Sequence, residues 1–280
     1  MSTTLANKTR LKPLQFSDRT YIMGILNVTP DSFSDGGRYV DVEAAVRHAK
    51  QMITDGADLI DIGGESTRPG HTKVEVGEEL NRVIPVIEAV SAQVDVPISI
   101  DTYKAEVAEK AIKAGASIIN DVWGAKADPS MAHVAAKYGV PIILMHNRDN
   151  EDYTDLMAEM IADLEESISL CKQAGVKDEN IILDPGIGFA KTYEHNLEAM
   201  RRLDELTALP YPVLLGTSRK SLIAKTLHLP VDDRVEGTGA TVCYGIAKGC
   251  NIVRVHDVKE MSRMAKMMDA MMGKGRDIGG

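Results

Sequence analysis

"YIMGILN" (residues 21–27) and "NIVRVHD" (251–257) stand near the two ends of the chain and share one design: a short apolar run that finishes on polar residues. Runs of this length with no polar partner face read as strands buried on both sides. The same pattern recurs in "DLIDIGG" (58–64), "PISID" (97–101), "SIINDV" (117–122), "PIILMH" (141–146), "IILDPG" (181–186) and "PVLLGTS" (212–218). Helical patterns such as "VEAAVRHAKQMITDG", "VGEELNRVIPVIEAV" and "YTDLMAEMIADLEESISLCKQAG" lie between them. Doubly buried strands that alternate with helices form parallel sheets. Eight such units in 280 residues, without a linker, predict a single (β/α)8 TIM barrel over 1–280 rather than an open doubly wound sheet. The termini, about 1–10 and 273–280, are expected to be flexible.

Composition narrows the function classes. A hydrophobic content of 44% indicates an ordered globular chain, and a net charge of −9 disfavours nucleic acid as a partner. The three cysteines have no CxxC spacing, so neither a disulfide framework nor a zinc site is indicated. The opening "MSTTLANKTRLKPLQ" lacks an apolar signal region, and no run is long enough to span a membrane. The expectation is a cytoplasmic enzyme acting on small molecules, with no membrane or nucleic-acid partner.

The strand ends carry the chemistry. Asn27, Asp61, Asp101, Asn120 with Asp121, His146, Asp184, Ser218, and Arg254 with His256 all close apolar runs. In a barrel these ends meet at one mouth, where the active site of the fold lies. Helix capping accounts for Ser218 or Asp257. It does not account for an Asn-Asp pair, an Arg-x-His or a His on strands, so a ligand-binding mouth is predicted.

Arg254 and His256 share a face at the two-residue period and suit a phosphate or diphosphate, with a structural Arg–carboxylate pair as the rival reading. "GTSRKS" (216–221) turns from the seventh strand into a helix, aiming backbone N–H groups, Lys220 and Ser221 at the same mouth. Asp101, Asn120 and Asp184 suit a ligand with adjacent N–H donors, such as a planar amino-heterocycle. Metal chelation by Asp101 and Asp184 ranks lower, because no compact ligand set accompanies them. The loop "NVTPDSFSDGGRY" (27–39) is too polar for a core and too rich in turn formers for a helix.

"MGILNVTPDSFSDGGRY", "DIGGESTRPG", "SIDTYK", "INDVWG", "LDPGIGFAKT", "GTSRKSLI" and "RVHDV" resemble, in order, the motifs of the dihydropteroate synthase family. The resemblance implies a barrel enzyme of folate biosynthesis. Such an enzyme joins 4-aminobenzoate to 6-hydroxymethyl-7,8-dihydropterin diphosphate, releases diphosphate with the help of Mg2+, and is a target of sulfonamides. It further implies that Asp101, Asn120 and Asp184 bind the pterin edge, with Lys220 over the ring and Met145, Val122 and Gly216 beside it. Arg254, His256, Arg68 and Asn27 would hold the diphosphate, Asn27 through the metal. Phe33, Thr67, Pro69, Phe189, Lys220 and Ser221 would form the aminobenzoate pocket. Asp35, Lys220 and Arg254 would assist an SN1-like departure of diphosphate. The 27–39 loop and "ESTRPG" (65–70) would be the loops that close over it.

A folate-binding methyltransferase domain on the same barrel, or a non-catalytic pterin-binding homologue, would share the pterin carboxylates. Arg254, His256 and the 27–39 loop weigh against the former, and no lost motif residue favours the latter. The methionines of "MSRMAKMMDAMM" (261–272) form a helical stripe expected to pack on the barrel. Members of the family are often homodimers through their late helices, and a homodimer is expected here.

Overall fold

The computed structural model describes residues 16, 18–28, 38–65 and 73–275, with the side chains of 38–41 excepted. The predicted elements Phe33, Asp35, Thr67, Arg68 and Pro69 lie outside these residues, as do 1–10 and 276–280.

Eight parallel strands form one sheet: β1 (Tyr21–Asn27), β2 (Leu59–Gly63), β3 (Ile98–Asp101), β4 (Ile118–Asp121), β5 (Ile142–Met145), β6 (Ile181–Asp184), β7 (Leu214–Leu215) and β8 (Ile252–Val255). They are hydrogen-bonded in the order β6-β5-β4-β3-β2-β1-β8-β7. A parallel bridge between Leu183 and Val213 joins β6 to the start of β7 and closes the ring. The barrel read from the sequence is therefore the observed fold.

Around it run α1 (Arg38–Asp55), α2 (Val76–Ser91), α3 (Ala105–Ala114), α4 (Met131–Tyr138), α5 (Leu156–Gln173), α6 (Tyr193–Arg201), α7 (Leu203–Thr207), α8 (Ser221–Leu227), α9 (Val235–Ala247) and α10 (Val258–Met271). The seventh run is longer in sequence than in structure. The Val213 N–H bonds the Asn251 side chain at 2.9 Å instead of a strand neighbour, which leaves β7 two residues of ladder. On α10, Met261 is buried and Met264 and Met268 pack against the core, but Met271 and Met272 are exposed, contrary to the expected continuous stripe.

Period two sorts each strand between two cores. Outward residues such as Ile22, Ile60, Ile100, Leu144, Leu183 and Val253 pack beneath the helices. Inward residues Met23, Leu59, Ile118, Ile143, Ile182, Leu214 and Ile252 form a separate apolar floor, against which Phe16 and Tyr21 pack. On β3 the corresponding inward residue is Ser99, paired in register with Ile118. Two residues further up each strand the inward positions are Ile25, Asp61, Asp101, Asn120, Met145, Asp184, Gly216 and Arg254. An apolar floor thus carries a polar tier at the C-terminal ends of the strands.

Candidate active site

The polar tier is a connected network. The Arg254 guanidinium donates from Nε to Asp61 Oδ2 at 2.6 Å and from Nη2 to Asp101 Oδ2 at 2.7 Å. Asn120 Nδ2 donates to the same Asp61 oxygen at 3.1 Å. Burial works against the charged guanidinium, yet Asp61 and Asp101 outweigh it and hold Arg254 above its ordinary value. Burial also pushes the Asp101 carboxyl up to about 7 against the pull of Arg254, with Asp61 adding to the rise. Oδ1 of Asp61 and Oδ1 of Asp101 are buried without a protein partner.

The rival reading of Arg254 from sequence, a carboxylate pair, is therefore present in the structure. Nη1 donates no hydrogen bond among the described residues. The sequence places Asp61 at the mouth with the other strand ends but gives it no ligand role. Its parity with Leu59 on β2 and its Arg254 bond place it in the same tier as Asp101.

Across the mouth, Asp184 ends β6 and accepts the Gly186 N–H on Oδ1 at 2.7 Å. Burial raises its pKa, and Lys220 opposes that rise. Lys220 follows β7, donates to the Ile187 carbonyl and lies 4.8 Å from the Phe189 ring centroid. Burial lowers the Lys220 pKa to about 8, with Asp184 pulling the other way. Between them stands Gly216. A Cβ there would lie 3.9 Å from Lys220 Nζ and 4.0 Å from both Asp184 Oδ2 and Arg254 Cβ. The lack of a side chain at Gly216 thus leaves the Lys220 ammonium, the Asp184 carboxylate and the Arg254 stem around one point. Met145 and Val122 line the neighbouring strands and are buried.

His256 caps the β8 side of the mouth and shares a 2.9 Å bond between Nδ1 and Ser218 Oγ. Ser218 also accepts the His256 N–H, so it fixes this imidazole and does not cap α8. Asp257 likewise makes no capping bond to α10; it takes Arg219 through two bonds of 3.0 and 2.6 Å. Ser221 opens the short α8 and is exposed, and Asn27 is exposed at the end of β1.

Two strand-end residues expected at the mouth face elsewhere. Asp121 accepts the N–H groups of Trp123 and Ala125 and shapes the turn after β4. Burial raises its pKa to about 6 in spite of those bonds. His146 lies behind the barrel, between Asp163 of α5 at 3.0 Å and the Lys191 ammonium at 2.7 Å. Burial, and then Lys191, lower its pKa to about 3.

A metal would find few hard ligands here. No group of three or more His, Cys, Asp or Glu among the described residues is arranged to hold one. Mg2+ commonly keeps its waters and takes only one or two protein oxygens beside substrate phosphates. The exposed Asn27 fits that mode.

Comparison with known proteins agrees with this geometry. The family model described as "Pterin binding enzyme" matches residues 23–256. The dihydropteroate synthase of Bacillus subtilis (strain 168) is 62% identical over 267 residues, 95% of this chain and 94% of that protein. A crystal structure of the Clostridium difficile dihydropteroate synthase in the presence of pteroic acid superposes with a TM-score of 0.90 at 54% identity, covering 92% of this chain and 98% of that one. The Xanthomonas albilineans dihydropteroate synthase with 4-aminobenzoic acid gives a TM-score of 0.87 at 44% identity, over 91% of this chain and 94% of that one. The chain belongs to the dihydropteroate synthase family of pterin-binding enzymes.

Proposed function

We propose that the mouth of this barrel joins 4-aminobenzoate to 6-hydroxymethyl-7,8-dihydropterin diphosphate, giving 7,8-dihydropteroate and diphosphate. The observation that carries the reading is the tier of Asp101, Asn120 and Asp184 around the Gly216 space, with Lys220 and Arg254 on its rim. Three acceptors suit the N–H edge of an aminopterin, and Met145 and Val122 supply apolar contact beside it. Family membership supports the same substrates.

In this reading the residues position and polarise; none acts as a nucleophile. Asp184 and Asp101 would accept from the pterin, and Lys220, which stands 4.8 Å from the Phe189 ring centroid, would reach over the pterin ring. Arg254, through Nη1, takes charge on the departing diphosphate together with His256 and Arg68. Asp35 would supply an anion for the positive charge that develops on the methylene carbon or for the Mg2+ shell, and the pterin ring would spread that charge. Phe33, Thr67, Pro69, Phe189 and Ser221 hold the aminobenzoate, whose aniline nitrogen is unprotonated near neutral pH and needs no strong base. Asn27 would hold Mg2+ together with the diphosphate. When bound, that ion supplies charge neutralisation on the leaving group. Sulfonamides share the ring and the anionic end of aminobenzoate and would enter the same pocket. No helix among the described residues is long and apolar enough to cross a membrane, and a cytoplasmic site of action is part of the proposal. A homodimer through the late helices remains part of the proposal.

The test is diphosphate release by the purified protein supplied with both substrates and Mg2+. Stoichiometric diphosphate and dihydropteroate are expected. Pterin binding without diphosphate release when aminobenzoate is added would leave a binding protein and overturn the catalytic reading.

A further inference from the structure

The segment 185–192 links β6 to α6 and carries Ile187 and Phe189, both of which meet Lys220. Its backbone makes one internal hydrogen bond, from the Phe189 N–H to the Gly186 carbonyl at 3.0 Å. Gly186, Gly188 and Ala190 have φ of 64°, 87° and 44°, three left-handed residues within five. Side chains hold other carbonyls of the segment and share that of Gly186. Lys191 Nζ donates to Gly186 O at 3.2 Å and to Phe189 O at 3.1 Å, and Tyr153 donates to Ala190 O at 2.8 Å. The third proton of the Lys191 ammonium goes to His146 Nδ1 at 2.7 Å.

The Asp163 carboxylate faces Nε2, so the His146 proton sits there and Nδ1 keeps the lone pair that meets Lys191, whose pKa burial lowers to about 7. Asp163 is itself held by Arg148. A chain Asp163–His146–Lys191 thus runs from α5 to the loop behind the mouth. Around the ammonium stand Asp163 and Arg148 on the α5 side, with Asp184 and Lys220 on the site side. Lys191 is 5% exposed, and the partners that engage it are these, so it acts through the loop.

We propose that Lys191 is a positioning residue for the reaction: its buried ammonium, seated on His146 and on the carbonyls of Gly186 and Phe189, shapes the loop that sets Phe189 and the Ile187 carbonyl against Lys220. The inference rests on the proposed use of Phe189 and Lys220 as walls of the aminobenzoate pocket. Asp101, Asn120 and Asp184 sit on strands, and only Asp184 touches this loop, through the Gly186 N–H, so the pterin edge depends on the device less than the Phe189 wall does. A neutral side chain of the same length leaves the Phe189 carbonyl and one imidazole nitrogen without donors and the Gly186 carbonyl with the Phe189 N–H alone, and the loop must rearrange to satisfy them.

Steady-state kinetics of Lys191→Met, with calorimetry of a pterin analogue, tests the proposal. The KM for aminobenzoate should rise about tenfold or more, while pterin-analogue affinity changes by less than about threefold. A residue that serves stability alone would lower the active fraction, and so the apparent kcat, with KM unchanged; an unchanged KM therefore overturns the positioning role. Should Lys191→Met not fold, Asp163→Ala decides. Without Asp163 the imidazole proton is free to occupy Nδ1 against the ammonium, and the aminobenzoate KM should rise about threefold. An unchanged KM in that variant refutes the proposal equally. Phe189→Ala separates the two possible failures. If it raises the aminobenzoate KM and the Lys191 variant does not, positioning alone is refuted; if it leaves KM unchanged, the pocket reading falls and this inference with it.

Discussion

Replacing Asp184 with Asn changes one oxygen of the mouth and little else. Oδ1 is already engaged by the Gly186 N–H at 2.7 Å, and an amide oxygen can keep that bond. The amide NH2 is then forced toward the Gly216 space, where the carboxylate Oδ2 stood. One charge-assisted acceptor is lost and a donor now faces ligand donors. Loss of such a bond in a dry site costs about 1.5–3 kcal/mol, or about 13- to 150-fold in affinity. Lys220 also loses the anion that opposes its desolvation, so its pKa should fall below the present value of about 8. The fold should not suffer. Burial raises the Asp184 pKa in the folded chain, so folding favours the proton-bound carboxyl; that advantage is lost as pH rises through the folded pKa. The ionised group therefore costs stability above it, and a neutral amide removes the cost. Isothermal calorimetry with a pterin analogue reads the affinity, and thermal denaturation reads the fold. An affinity within about threefold of the parent, with an intact melting transition, would refute the assignment of Asp184 as a ligand acceptor.

Other perturbations probe the neighbours. Gly216→Ala adds a methyl at ordinary contact distance, 3.9–4.0 Å from Lys220, Asp184 and Arg254; melting should be unchanged while pterin-analogue affinity falls about tenfold or more. Gly186→Ala is the opposite case: φ is +64° and the new Cβ would overlap the His146 carbonyl oxygen, so urea denaturation should show a loss of at least about 1–3 kcal/mol. Arg254→Met leaves Asp61 and Asp101 facing each other without their shared cation, and should cost about 3–5 kcal/mol of stability, part of which Asp61→Asn restores in the double variant. Lys220 is charged below its pKa of about 8, so aminobenzoate affinity should decline as pH rises through that value; in Lys220→Gln the profile between pH 7 and about 9 should be flat.

Parity decides which parts of this site could be read from the sequence. The strands were legible because each apolar run is bounded by turn formers, and their polar ends marked the mouth. Yet a polar strand end faces the interior only if it has the right parity with the residues below it. Asp101, Asn120, Asp184 and Arg254 are each two residues above an inward floor position, and all four enter the tier. Asp121 and His146 are one residue further on, and both turn outward to serve a local turn or a buried pair. Asp61 has the inward parity of Leu59, so counting from the floor would have found it beside Asp101. Lys191 had no local signal. Its partner His146 is 45 residues away, and only the tertiary structure brings the two together. The short β7 was hidden for a similar reason, because the group that displaces its ladder is the side chain of Asn251.

The tier is a poor design for stability and a good one for binding. Asp61, Asp101 and Asp184 face Arg254 and Lys220 above a floor of seven apolar side chains. Three acids against two bases leave an acceptor excess, and low polarity beneath them makes each charge costly. The strain is visible in the groups themselves: burial raises Asp101 and Asp184 and lowers Lys220, in each case against an opposite charge that only partly compensates. Replacing the tier with leucines would extend the apolar floor, remove these penalties and also remove the site. The closed ring of strands tolerates the cost because its two-sided packing supplies stability elsewhere, beneath the helices. A ligand that brings N–H donors to the unpartnered oxygens of Asp61 and Asp101, or to Asp184, relieves a penalty already present in the empty protein. Affinity for such a ligand would then come from acceptors already held in place by the strands before it arrives.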